Sequence, residues 1–347
     1  MSAMLSQKPK VAVLIPQEKR DLVFRSEAEE TLATFADPFI ATDQELAQGD
    51  ISKMLHNVPA VITGWLSPPI PKSAFAPSGS VKFLSHTAGS VRKLGVQGAL
   101  EAGEVRVSHA ASVIAYAVAE FTLTQMLAHV RRHRDTDAGF RNGTPWFDIR
   151  ENFLGQLLSA QEVGIVGLGY VGRLVLDLLR PFGCPISVYD PFVDQVQALT
   201  LGVTLRPLEE LFRRCSIVTL HAAKLPETER MITRAHLDLL RPGSLLVNTA
   251  RAQLIEEGAI LDVLREGKIF AALDTFEKEP GLGQDMPPKM REELQRLPNL
   301  YASPHCAGHT SDSYIRQGLS AVEEVRRFLA GERLNQEISR EKAPMLA

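Results

Sequence analysis

The chain has 347 residues and a formal net charge of -3, with 45% of residues hydrophobic and 23% charged. That length exceeds what a single hydrophobic core usually fills, so two domains are expected. The charge balance offers no basic face for nucleic acid and no acidic tail, but it leaves room for a local site that binds an anionic substrate.

The three cysteines, Cys184, Cys215 and Cys306, are odd in number and lack any short metal-type spacing. Reduced thiols are expected, and no metal site. The N-terminal residues lack the apolar core of a signal peptide. No apolar run approaches the roughly 18 residues of a membrane span. A cytoplasmic protein with no membrane partner is therefore expected.

In chain order, apolar runs at 11–15, 60–63 and 81–85 predict short strands covered on both faces of a parallel sheet. Polar, helix-compatible stretches at 27–36 and 43–56 lie between them. Segments 67–71 and 76–79 are rich in proline or glycine and mark irregular connections. Leu123, Met126, Leu127 and Val130 then repeat at helical spacing. Arg131, Arg132 and Arg134 follow, where cations complement the helix dipole. From Glu162 the alternation becomes regular, with strands predicted at 163–166, 186–190, 217–221, 244–249, 269–274 and 300–303. Helical patterns separate them, as at 257–265 with Gly267 behind it as a stop. Six strands alternating with helices predict a doubly wound parallel sheet. A last helix is expected through Leu319, Val322, Val325 and Leu329, and a poorly ordered tail at 341–347.

Gly167, Gly169 and Gly172, with Leu168, Tyr170 and Val171 between them, form a G-x-G-x-x-G pattern. A bare pattern of this kind is weak. Here it follows a strand directly and opens a helix with Val171, Leu174, Val175 and Leu178 on one face. In that setting Gly167 permits a tight turn, Gly169 lets the backbone approach a pyrophosphate, and Gly172 allows close helix–strand packing. The helix N-terminus adds N–H donors and partial positive charge. The next strand ends at Asp190, 18 residues past Gly172, where a carboxylate accepts hydrogen bonds from the adenosine ribose. Only Pro191 and Phe192 follow, with no cation for a 2′-phosphate. NAD is the expected cofactor, and Asp190 disfavours NADP.

The chemical candidates stand at the ends of later strands, where ligands bind in open α/β sheets. Arg251 follows one strand, Asp274 ends the next, Glu279 lies just beyond it, and His305 follows the last. Reduction of a ketone needs a proton donor and a cation to hold the substrate carboxylate. The planar fork of Arg251 suits two carboxylate oxygens. His305 can exchange a proton near neutral pH, and Glu279 beside it would stabilise the imidazolium. Taken singly, each residue also has an ordinary structural use, as a surface ion pair, a loop acid or a capped histidine.

Taken in order with the glycine pattern and Asp190, the segments Asn248 to Arg251, Ala272 to Asp274, Glu279 with Pro280, and Ser303 to His305 resemble the D-2-hydroxyacid dehydrogenase family. That family includes phosphoglycerate, glyoxylate/hydroxypyruvate and D-lactate dehydrogenases. The resemblance covers nearly the whole chain from Ala110 onward. It implies a Rossmann-type NAD-binding domain at 113–307 and a smaller flavodoxin-like βα substrate-binding domain, discontinuous over 1–112 and 308–347. It also implies hydride transfer between NAD(H) and a small 2-hydroxy or 2-keto acid.

Roles follow position by position from that resemblance. Arg251 would bind the substrate carboxylate and carbonyl, His305 would be the general acid in contact with substrate, and Glu279 its partner. Cofactor contacts would come from the six residues of the glycine loop, Asp190, His221, Thr249, Ala250 and Asp274, the last near the nicotinamide carboxamide. Ala88 and Gly89, within the loop His86 to Ser90, would hold the substrate carboxylate through backbone N–H groups. A homodimer is implied, through the helix that starts near Val118.

The chain also departs from the pattern. Ala252 follows Arg251 where glycine is usual, Cys306 follows His305, Ile114 occupies a place often polar, and 281–290 replaces a shorter turn. These bear on substrate choice. Formate dehydrogenases of the same fold pair their histidine with an amide, unlike Glu279. Phosphite dehydrogenase uses the same Arg, Glu and His types and stays an alternative, as does an NAD-sensing regulatory protein of dehydrogenase descent.

Overall fold

The computed structural model describes residues 8–47, 51–75, 79–281 and 284–341. The chain divides into two compact units, Met1–Ile114 with His309–Ala347, and Ala115–Gly308.

The first unit holds β1 (Lys10–Val13), β2 (Asp37–Ile40), β3 (Ala60–Thr63), β4 (Phe83–His86) and β5 (Arg106–His109), all parallel, in the order β2-β1-β3-β4-β5. This is the flavodoxin-like order, whose direction of winding reverses between β1 and β3. Val11, Val13 and Ile15 pack on one face, and Ala12 and Leu14 on the other. A strand buried on both faces loses the alternation of an exposed one, which is why 11–15 reads as a continuous apolar run.

The edge strands β2 and β5 escaped the sequence reading because their residues do not look like a core. Asp37 N–H donates to Pro9 O, and Ala41 N–H to Val13 O. The nitrogen of Pro38 therefore points away from β1, where its missing proton costs nothing. β5 is covered on its outer edge by Glu337, which bridges Ser108, and by Ile338, whose N–H reaches Val107 O. The predicted helix at 43–56 shortens to Asp43–Ala47, with turns at 52–57. Ile51, Leu55 and Val58 still face the core, and that spacing imitated a helix. Most of the predicted connection at 76–79 and of the tail at 341–347 lies outside the described residues.

The helix Ser311–Leu329 packs Ala321, Val322 and Val325 against this sheet, with Phe328 stacked on Phe83 at 4.8 Å. It approaches the helix Gln17–Val23 so closely that a Cβ at Gly318 would lie 1.9 Å from Val23 O.

The second unit holds β6 (Val163–Val166), β7 (Ile186–Tyr189), β8 (Thr204–Leu205), β9 (Ile217–Leu220), β10 (Leu245–Asn248), β11 (Phe270–Leu273) and β12 (Leu300–Ala302). All are parallel, in the order β12-β11-β10-β9-β6-β7-β8. This is the doubly wound Rossmann arrangement, with its reversal between β6 and β9. The edge strand β8 has 2 residues, too few for any periodicity to show.

Helices His133–Arg141 and Pro288–Gln295 bury no residue, so no core-facing run of apolar residues marks them. The helix Ala111–Val130 amends one expectation. It is 20 residues long, with a mean hydropathy of 1.3, apolar enough by length and composition to cross a membrane. It nevertheless buries Thr122 and Gln125, and within the second unit it packs Ala119, Met126 and Val130 into the core.

Candidate active site

The glycine loop hangs from the C-terminal end of β6, at the reversal point of the seven-stranded sheet. Gly167 has φ +92°, and a Cβ there would meet Ala222 N at 2.6 Å. The Ala222 segment is held in place because His221 N–H donates to Val166 O at 2.7 Å. A Cβ on Gly172 would lie 2.1 Å from Gly167 O, so glycine alone lets the helix Tyr170–Leu179 start so close to the turn. At Gly169, by contrast, a Cβ would meet nothing within 4 Å. The approach to the helix N-terminus is open, and its unbonded first-turn N–H groups suit a phosphate.

Asp190, just past β7, accepts from Leu168 N–H at 2.6 Å and from Phe192 N–H at 2.8 Å. Its carboxylate is therefore fixed beside the loop, with lone pairs left for further donors. An open glycine approach with an oriented acid beside it fits a dinucleotide. The His221 ring bonds Thr219 Oγ1 through Nε2 at 2.9 Å, and burial pushes its imidazole down to about 3.

The other predicted residues gather at the ends of β10, β11 and β12, which are neighbours in register (Asn248 opposite Leu273, and Leu273 opposite Ala302). Fully buried Asn248 shapes the first of these loops. Its Oδ1 accepts from Ala250 N–H at 3.1 Å and its Nδ2 donates to Arg251 O at 2.9 Å. Thr249 Oγ1 is tied to Thr122 Oγ1 at 3.0 Å. Arg251, half-buried, donates to Ala250 O at 2.7 Å and has no carboxylate partner among the described residues.

His305 Nδ1 meets Glu279 Oε2 at 2.8 Å, and Glu279 Oε1 in turn accepts from Phe276 N–H at 3.1 Å. The side chains of His305 and Glu279 keep 48% and 35% exposure, enough for a substrate to reach the imidazole.

Asp274 is buried, and its carboxylate accepts three hydrogen bonds, from Ser303 Oγ at 2.5 Å, Cys306 N–H at 2.9 Å and Ala307 N–H at 2.9 Å. Burial, together with the charge and hydrogen bond of Asp274, pushes the Cys306 thiol pKa up. Asn248 and Ser303 lie inside the sequence segments singled out above, but their structural work was not anticipated. An Asn or Ser at a strand end, able to bond nearby backbone or loop groups, was the available signal.

In the first unit, buried Ala88 and half-buried Gly89 follow β4. Ala88 O accepts from Ala110 N–H at 3.1 Å, and Gly89 O accepts from His109 Nδ1 at 2.9 Å. His86, which ends β4, bonds Thr63 Oγ1 at 2.9 Å. Burial, with His109 nearby, pushes its imidazole down to about 3.

A cavity of about 800 Å³ lies at the opposite, N-terminal ends of β11 and β12, against Phe270, Arg296 and Asn299, and contains none of the predicted residues. Among the described residues no group of three or more His, Cys, Asp or Glu could hold a metal ion.

Residues 123–307 match the D-isomer specific 2-hydroxyacid dehydrogenase, NAD binding domain. Over 218 residues the chain is 35% identical to the D-3-phosphoglycerate dehydrogenase of Mycobacterium tuberculosis, a match covering 62% of this chain and 39% of that protein. The chain thus spans well under half the length of that relative. It is 32% identical over 233 residues to the glyoxylate reductase of Aeropyrum pernix, covering 65% of this chain and 67% of that one. The NAD complexed form of a D-isomer specific 2-hydroxyacid dehydrogenase from Lactobacillus delbrueckii ssp. bulgaricus shares the fold, with a TM-score of 0.76 at 20% identity over 95% of this chain and 100% of that one.

Proposed function

The chain belongs to the D-isomer specific 2-hydroxyacid dehydrogenases, and on that premise we propose that it interconverts a small 2-keto acid and its 2-hydroxy acid with NAD(H). The observation that carries this reading is the His305–Glu279 contact of 2.8 Å, on a strand-end cluster that also presents an Arg251 without a carboxylate partner among the described residues. An unpaired, half-buried guanidinium is ready for a substrate carboxylate, and its planar fork suits two oxygens.

In the proposed reduction, Arg251 binds the carboxylate and draws charge from the carbonyl oxygen. His305 donates through Nδ1 to ionised Glu279, which leaves Nε2 to hand a proton to that oxygen. The glycine loop and Asp190 would hold NADH, which would supply the hydride for the carbonyl carbon. Ala88 and Gly89 are assigned substrate contact through their backbone. Oxidation runs the same steps backwards, with neutral His305 as the base.

Asp190 supports a preference for NAD over NADP, since a fixed carboxylate beside the loop repels a 2′-phosphate and accepts from ribose hydroxyls. A homodimer is part of the proposal. Phe140, Trp146, Phe147, Leu154 and Leu157 stand 62–73% exposed, more apolar surface than a short stretch usually leaves in water. Light scattering of the purified protein tests it. A cytoplasmic location is proposed on the free thiols of Cys184, Cys215 and Cys306.

The deciding experiment measures NADH oxidation against glyoxylate, hydroxypyruvate, pyruvate, longer aliphatic and aromatic keto acids and 3-phosphohydroxypyruvate, with Arg251→Ala as control. Turnover of at least one acid, lost in the control, is expected. NADH binding with no turnover of any acid would overturn the proposal.

A further inference from the structure

Resting on the dehydrogenase function proposed above, we infer that Asp274, together with Ser303, is a positioning residue for His305: a buried clamp that fixes the backbone carrying the imidazole. His305 has φ +52°, in the left-handed region that a residue with a side chain rarely enters. Such a conformation persists only where the surroundings hold it. Here one residue, Asp274, supplies most of that hold, beside a second bond from His305 N–H to Ser303 O at 3.0 Å. Asp274 Oδ1 takes Ser303 Oγ and Cys306 N–H, Oδ2 takes Ala307 N–H, and the main-chain O of Asp274 takes His305 N–H at 2.8 Å.

Contacts therefore run from one residue to both sides of His305 and to its own backbone. Asp274 is 1% exposed, and bonds to an ionised, buried acceptor are stronger than neutral ones. The other end of the histidine is set by Glu279 on the ring. With Asp274 placing the main chain and Glu279 orienting Nδ1, the imidazole is fixed from both ends. Glu279 and Asp274 face this loop, and the Cys306 thiol lies on it.

The inference assigns Asp274 a task separate from contact with the cofactor, and the two tasks predict different variants. In Asp274→Asn the amide nitrogen would confront a backbone N–H of Cys306 or Ala307, donor against donor. The expected result is a fall in kcat of about 30-fold with NADH affinity within about threefold of wild type, since misplacing a reacting group by about 1 Å costs up to about 100-fold. The His305 imidazole signal, assigned by its loss in His305→Ala, is expected to titrate with a displaced midpoint in proton NMR of the cofactor-free protein. Ser303→Ala, which removes one donor and spares the carboxylate, serves if Asp274→Asn does not fold. A fall of about threefold in kcat is expected there, with Ser303→Thr restoring it.

Weakened NADH binding with kcat retained at saturating cofactor would make Asp274 a cofactor contact and overturn the clamp. An unmoved His305 titration in a folded Asp274→Asn would overturn it equally. The NMR and NADH-binding measurements need no substrate, so an enzyme that turned over no keto acid would sink the proposed function and still decide the clamp.

Discussion

The glycine loop and the His305 loop both hang from C-terminal ends of strands in the same seven-stranded sheet, yet they are built by opposite means. The first is local. Its six residues from Gly167 to Gly172 are contiguous, with Asp190 the one distant side chain that bonds them, and close backbone approach decides the turn, as in the 2.1 Å that a Cβ on Gly172 would leave to Gly167 O. The second is assembled from afar. Glu279 and Asp274 after β11 grip a loop after β12, across 26 and 32 residues of chain respectively. The difference is that between omitting side chains and supplying them. A binding loop for phosphate needs backbone and space, whereas proton transfer needs functional groups from separate strands held in one geometry.

The comparison is broken most directly at His305. His305→Ala removes the proposed acid while leaving the glycine loop untouched. A loss in kcat of about 100- to 10,000-fold is expected, with NADH binding unchanged by fluorescence titration. In the wild type, reduction is expected to weaken as pH rises, because the proton to be donated is lost, and oxidation to strengthen. Near-normal turnover by His305→Ala would remove the acid/base assignment altogether.

The converse change is Gly172→Ala. Its methyl meets a backbone oxygen rather than a flexible side chain, so the helix Tyr170–Leu179 must move away from the turn. A stability loss of roughly 1–3 kcal/mol is expected, with weakened NADH binding. Ala at 169, where space is open, is expected to leave the melting temperature unchanged while hindering phosphate approach. Equal destabilisation by both alanines would show that the loop is not built as described.

How much of this was legible follows the same division. The glycine loop, Asp190 and the long apolar strands declare themselves because their determinants are contiguous or periodic. The edge strands β2 and β5 did not, since Pro38 and Arg106 are tolerated only at the rim of the sheet and do not look like core residues. The helix His133–Arg141 did not, because it buries nothing. At the chemical site, Arg251, Glu279 and His305 were nameable by type and order, but the clamp on His305 was not. Asp274 to Ala307 is a contact of 33 residues' separation whose donor is a backbone N–H, and backbone donors leave no trace in side-chain identity.

A buried histidine at another strand end sharpens the contrast with exposed His305. His86 is 4% exposed, and its imidazole is pushed down to about 3. The folded protein then keeps it neutral where the unfolded chain, with an ordinary value near 6.5, takes up a proton. The contribution is fully present above the unfolded value and is lost as pH falls through the window from about 6.5 toward 3. A cost of order 2 kcal/mol by pH 5 is expected, read as a falling urea midpoint on acidification. His86→Gln is expected to remove its part of that limb and leave the part due to His221, which burial also pushes down to about 3, and an unchanged pH slope would show that the acid sensitivity resides elsewhere.

The smallest expected effect returns to the glycine loop, at its one functional side chain. Asp190 holds Leu168 N–H and Phe192 N–H, so it both shapes the loop and presents charge where a ribose would lie. In Asp190→Ser the charge goes but a hydroxyl acceptor stays. NADH is expected to bind about tenfold more weakly, the size of one lost charge-assisted hydrogen bond. NADPH is expected to lose nothing or to gain, because the repulsion against a 2′-phosphate has gone. Titrating both cofactors against both proteins separates the two roles of the residue. A parallel loss for NADH and NADPH would mean that Asp190 acts by shaping the loop, and a loss for NADH alone that its charge chooses the cofactor.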